Sequence, residues 1–145
     1  MLEDGKVAAR IPVQDLQRAR SFYAEKLGLE PGEERPGGLL YRCGEGEFVL
    51  FESAGAASGH HTHHTQMSWE VEDIEATVEW LRVRGVVFEE YDFPGLRTVN
   101  GIAEVRDSEG NLFGKGAWFR DSEGNLLGIN RPTDELRRTM LGPDR

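Results

Sequence analysis

Residues 6–13 alternate, with Val7, Ala9, Ile11 and Val13 apolar and Lys6 and Arg10 between them. A period of two predicts a strand with one face on a core. Asp15 stands where a helix N-cap belongs. Leu16, Ala19, Tyr23 and Leu27 follow at helical spacing, and Gly28 is a natural stop. A first helix is therefore expected over residues 15–27. Strands are expected at 29–35, 39–43 and 47–52, separated by the turns Pro36-Gly37-Gly38 and Gly44-Glu45-Gly46. Residues 53–59 are mostly small and suit a crossing between halves. Alternation returns at 66–71, with Met67, Trp69 and Val71 on one face. Asp73 repeats the N-cap, Ile74, Val78 and Leu81 line a second helix, and Gly85 ends it. A strand is expected at 86–91, a loop at 92–101 and an inserted hairpin or loop at 102–113. A hairpin follows at 115–130, with Ala117, Trp118 and Phe119 on one arm and Leu126, Leu127 and Ile129 on the other. Residues 133–141 read as a terminal helix.

Two internal repeats stand out. Val13-Gln14-Asp15-Leu16 matches Val71-Glu72-Asp73-Ile74, each after an alternating strand and before a helix, a glycine and more strand. The halves read as copies of one βαβββ unit, module one at about 6–53 and module two at about 64–131, with a tail at 132–145. The second repeat is short. Arg106-Asp107-Ser108-Glu109-Gly110-Asn111-Leu112 recurs without change from Arg120 to Leu126. It reads as a local duplication of a polar turn, and it does not fit a calcium-loop pattern.

Composition narrows the class. The chain has 145 residues, 38% hydrophobic and 30% charged, and a formal net charge of −9. That length suits one soluble domain. No apolar run reaches membrane-spanning length, and Met1-Leu2-Glu3-Asp4 is acidic where an export signal is basic, so a cytoplasmic location is expected. The negative charge disfavours nucleic-acid binding and anionic membranes. Cys43, the single cysteine, excludes an internal disulfide and reads as a structural thiol within a strand.

The Val-x-Asp-Leu helix start, Phe22-Tyr23 within the helix, Leu27-Gly28-Leu29 after it, and the closing Phe119-Arg120-Asp121-Ser122-Glu123-Gly124-Asn125-Leu126-Leu127 together resemble the vicinal oxygen chelate superfamily. That group includes glyoxalase I, extradiol dioxygenases, and fosfomycin and bleomycin resistance proteins. This chain has Ser122 where proline is usual. The resemblance implies an α+β fold of two βαβββ modules whose sheets curl around a cleft, in a homodimer. It also implies a divalent metal bound by the first and last strands of each module. Lining up the motifs puts those ligand positions on Ala8, Phe51, Gln66 and Gly128. Alanine, phenylalanine and glycine offer no side-chain donor, so the metal site is expected to be empty, with no cofactor.

Alternation puts Arg10, Gln66, Ser68, Glu70, Gly128 and Asn130 on the cleft face, joined by Phe51 and Trp118, a mixed lining suited to a small organic ligand. His60, His61, His63 and His64 could hold a transition metal, although a solvated loop is the preferred reading. The expected function is metal-free small-molecule binding of the bleomycin-resistance kind, with possible antibiotic sequestration. The negative charge would steer a cationic ligand. The alternative is a glyoxalase-type lyase or isomerase, using either a metal relocated to the histidines or Glu70 near Arg10 as an acid–base pair.

Overall fold

In the computed structural model, residues 1–53 and 64–141 are described, with side chains through residue 138. The expected crossing and His60, His61 and His63 thus fall outside the described residues. The chain divides into two compact units. Unit one is Met1–Gln66 with Asp121–Leu126, and unit two is Met67–Arg120 with Leu127–Arg145.

Unit one runs β1 (Ala9–Val13), α1 (Leu16–Glu25), β2 (Glu33–Arg35), β3 (Gly38–Cys43) and β4 (Gly46–Glu52). Its sheet has the order β1-β4-β3-β2, with β1 parallel to β4 and the other pairs antiparallel. The Asp15 carboxylate caps α1 by accepting from the Arg18 amide at 3.0 Å, which satisfies an orphan donor of the first turn. Tyr41 stacks on Phe48 at 4.8 Å, and the ring of Tyr23 from α1 lies 5.6 and 5.9 Å from them. These rings fix which side of the sheet α1 covers. Ile11, Val13, Leu39 and Leu50 are buried on that side. By alternation, Arg10, Pro12, Leu40, Val49 and Phe51 face away from the helix. Two strands are shorter than expected. Val7 is 92% exposed, so β1 starts at Ala9. At the sheet edge, Pro31 has no amide to donate, and β2 pairs only from Glu33.

Unit two runs β5 (Met67–Glu70), α2 (Ile74–Val83), β6 (Asp92–Phe93), β7 (Leu96–Val99), β8 (Ile102–Arg106), β9 (Leu112–Arg120), β10 (Leu126–Pro132) and α3 (Asp134–Leu141). Its order is β5-β10-β9-β8-β7-β6, with β5 parallel to β10. The first four strands of this order repeat the plan of unit one, and β7 and β6 extend it. Asp73 caps α2 through the Ala76 amide at 3.0 Å, just as Asp15 caps α1.

The sequence reading fails between the second helix and the last hairpin. Residues 86–91 are not a strand, and only Phe88 bridges to Phe119. The Tyr91 amide donates to the Thr98 hydroxyl at 2.8 Å, and the Thr98 amide donates to the Tyr91 carbonyl at 2.9 Å, so Tyr91 is tied to β7 partly through a side chain. Residues 92–101, expected as loop, contain β6 and β7. Val99 pairs with Ile102 across Asn100-Gly101, whose φ values are 54° and 79°. Two successive positive φ angles make the primed turn that Asn-Gly favours. That dipeptide is the signal the reading by periodicity passed over.

The duplicated segments fold into one turn twice. In the first copy, Asp107 Oδ1 accepts from the Glu109 and Asn111 amides at 2.9 and 2.8 Å. In the second, Asp121 Oδ1 accepts from the Glu123 and Asn125 amides at 2.9 and 2.9 Å. Their surroundings differ. The first copy is largely exposed, whereas Asp121, Glu123 and Asn125 are buried. Glu123 accepts from the Gln14 and Asp15 amides at 3.0 and 2.9 Å and from the Arg18 guanidinium at 2.8 and 2.9 Å. Tyr23 donates to Asp121 at 2.8 Å, and the Asn125 amide to the Pro12 carbonyl at 2.9 Å. Burial pushes Glu123 up, but the Arg18 and backbone bonds outweigh it and hold the carboxyl at about 2.

Candidate functional site

In unit one, the structure brings Arg10 and Phe51 together. They lie on adjacent strands, on the side away from α1, and the guanidinium sits 5.3 Å from the ring centroid. The parallel register pairs Arg10 with Val49 and Pro12 with Phe51. Gly38 lies across from Phe51 on β3. Arg10 is exposed, Phe51 half-buried, and Leu40 and Val49 buried. Gln66 is half-buried, and its amide donates to the Leu126 carbonyl at 2.9 Å.

In unit two, the register pairs Ser68 with Gly128 and Glu70 with Asn130, on the side opposite Trp69, whose ring stacks on Phe119 at 6.4 Å. Trp118 turns away from Phe119 by alternation and lies over Gly116. A Cβ built on Gly116 would stand 3.0 Å from the indole. Tyr91 packs on Trp118 with centroids 5.7 Å apart. Sequence reasoning missed Tyr91 as a site residue. Its aromatic character just before the Asp92-Phe93-Pro94-Gly95 turn was the available signal. Burial, and then the nearby Glu89, push its phenol up.

Within unit two, Glu70 of the acid–base alternative has a cationic neighbour. Glu70 forms its ion pair with Arg137 of α3 at 3.5 Å, and its side chain is 49% exposed.

The residues at the ligand positions implied by the resemblance do not fit a divalent ion. Ala8, Phe51 and Gly128 have no donor atom, and Gln66 supplies one neutral oxygen. Glu52 cannot substitute, because it pairs with Val13 in the ladder and so alternates to the α1 side. Among the described residues, no three His, Cys, Asp or Glu side chains are grouped to hold a metal. His64 is the one member of the histidine cluster among them, and it is exposed.

A separate groove of ≈ 1050 Å³ lies in unit two beside α2, over β7 and β8. It contains none of the eight expected site residues. Its cations are engaged locally, with Lys115 on Glu75 at 2.6 Å, Arg106 on Glu104 at 2.6 Å and Arg82 on the Asn100 carbonyl.

The sequence matches the Glyoxalase/Bleomycin resistance protein/Dioxygenase superfamily over residues 6–129. The chain belongs to this superfamily. No curated protein matches it. Among solved structures, a bleomycin-binding protein complexed with bleomycin is 19% identical, with 88% of this chain and 98% of that one covered and a TM-score of 0.61. The fosfomycin resistance protein FosX from Listeria monocytogenes, complexed with Mn(II) and a dihydroxypropylphosphonic acid, is 16% identical, with coverages of 95% and 98% and a TM-score of 0.62. A glyoxalase family protein from Enterococcus faecalis is 24% identical, with coverages of 90% and 99% and a TM-score of 0.61. At these identities the likeness is one of fold, and superfamily membership leaves activity to be argued from the residues.

Proposed function

We propose that this member of the glyoxalase/bleomycin resistance superfamily is a metal-free small-molecule binding protein, working as a cytoplasmic homodimer and suited to sequestering an antibiotic or a similar compound. One observation carries the reading. The positions implied for the metal hold Ala8, Phe51, Gln66 and Gly128, while aromatic side chains are presented on the helix-free faces, Phe51 with Arg10 in unit one and Trp118 with Tyr91 in unit two. Without a Lewis acid at those positions, the superfamily's metal-assisted proton transfers and ring openings have no electrophile there. Aromatic and apolar surface with a few placed polar groups is what small organic ligands bind. The existence of a bleomycin-binding structural neighbour supports the reading at the level of fold.

The test is calorimetry of the purified protein against bleomycin and a metabolite panel, with elemental analysis of the same sample. Saturable heats from a protein that carries no stoichiometric metal are expected. No binding from the panel would refute the binding reading, and one bound metal per chain would refute its metal-free part.

A further inference from the structure

Unit one contains five arginines, and four of them are neutralised. Arg18 pairs with Glu123 at 2.8 Å, Arg20 with Glu34 at 2.5 Å, Arg35 with Glu33 at 3.1 Å and Arg42 with Glu47 at 3.4 Å. Arg10 has no ion pair among the described residues, in a chain with 26 carboxylate side chains against 17 Lys and Arg. It is not a loose surface side chain, because its guanidinium sits over the Phe51 ring. A cation–π contact uses none of the guanidinium's strong hydrogen-bond capacity, so its N–H donors stay available to a further partner. They form a planar fork matched to a carboxylate, sulfonate or phosphate. Around it, Pro12, Leu40, Val49 and Phe51 form an apolar floor on the same side of the sheet. The half-exposed Phe51 is the part of that floor open to a flat partner.

From this we infer that the ligand of this face is a flat aromatic or otherwise planar anion, its acidic group held by Arg10 and its body lying against Phe51. The inference rests on the small-molecule reading above and narrows it. It reverses what the net charge alone suggests. A total of −9 favours cations at long range, but that field is screened beyond about 8 Å at physiological salt. A charge-assisted hydrogen bond formed at contact is screened far less. The local arginine therefore decides the sign of the bound group, and the net charge affects only the encounter.

The test uses three probes of one shape, naphthoate, naphthylmethanol and naphthylmethylammonium, titrated into the full chain by calorimetry. Naphthoate is expected to bind most tightly. Arg10→Gln is expected to weaken it about tenfold, to the level of naphthylmethanol, whose own affinity stays put. Arg10→Lys is expected to recover only part of the loss, since it restores charge without the fork. Arg10 is exposed, so both variants should melt with the parent protein. A preference for the ammonium probe, or naphthoate binding indifferent to Arg10→Gln, would overturn the inference and leave the binding reading standing. The same holds if some panel compound binds and naphthoate gives no heat. If neither the probes nor the panel give heat, the binding reading itself fails.

Discussion

Glu123 shows how one side chain can belong to a turn and hold a helix at once. Its carboxyl falls from 4.5 to about 2 on folding. A depressed carboxyl adds stability that is complete above the unfolded value and is lost as pH falls toward the folded one. The window is therefore pH 4.5 down to about 2. Arg18 is 53% exposed, so solvent screens the pair and the contribution is about 2 kcal/mol rather than the full shift. Glu123→Gln should lower the melting temperature at neutral pH by about 5 °C and flatten the acid limb of stability in that window. An acid limb unchanged from the parent protein would show the pair to be inert. Asp121 acts in the opposite sense. Burial raises its carboxyl above 3.8, so protonation there favours the folded state. Asp121→Asn should then steepen the acid loss. At Gly116, the indole of Trp118 occupies the space of a side chain. Gly116→Val should displace the ring and shift tryptophan emission, while Gly116→Ala asks it to yield by only a few tenths of an ångström.

The elements show what a sequence reading reaches and where it stops. Helices α1 and α2 were legible because Asp15 and Asp73 cap them and a glycine closes each. Asp15→Ala and Asp73→Ala should each cost about 1 kcal/mol in denaturant melts. Strands β1, β3, β4, β5 and β10 were legible because one face of each meets a core. Strands β6 and β7 were not, because Asp92, Phe93 and Val99 are exposed and leave no clear alternation. The turn that joins β7 to β8 was written in Asn100-Gly101, a local signal independent of burial. The duplicated turns mark the other limit. Seven identical residues give one backbone solution twice, but nothing within them says which copy will be covered. Tyr23 and Arg18, about a hundred positions away, decide it. Asp107→Ala should therefore cost under about 1 kcal/mol, and Asp121→Ala about 3 kcal/mol, because it strips a buried network. Equal costs in paired urea melts would contradict the difference in burial.

At the scale of the whole molecule, the residue types at four positions bear more on chemistry than the fold does. Arg10 and Phe51 were both legible as site candidates, but their contact was not, since strand parity gives a face and not a partner. Glu70 was legible as a face, and its ion pair with Arg137 of α3 was not, for the same reason. Chelation makes a simple check, since EDTA should leave both the melting temperature and any ligand affinity unchanged, and a drop in either would point to an unrecognised metal. The duplicated turns also bear on how this protein can change length. Equivalent residues of the two copies are separated by 14 positions, Asp107 to Asp121, and an even interval leaves the in–out order of a pleated strand undisturbed. Excising residues 107–120 would join β8 directly to the docking turn, with Ala103 in the place of Ala117 and Val105 in that of Phe119. Such a shortened chain should still melt cooperatively, less stably for want of the Phe119 ring, and it would lose Trp118. The stretch that carries the tryptophan is thus one whole interval between the copies, and its removal would leave the in–out order of the pleat unchanged.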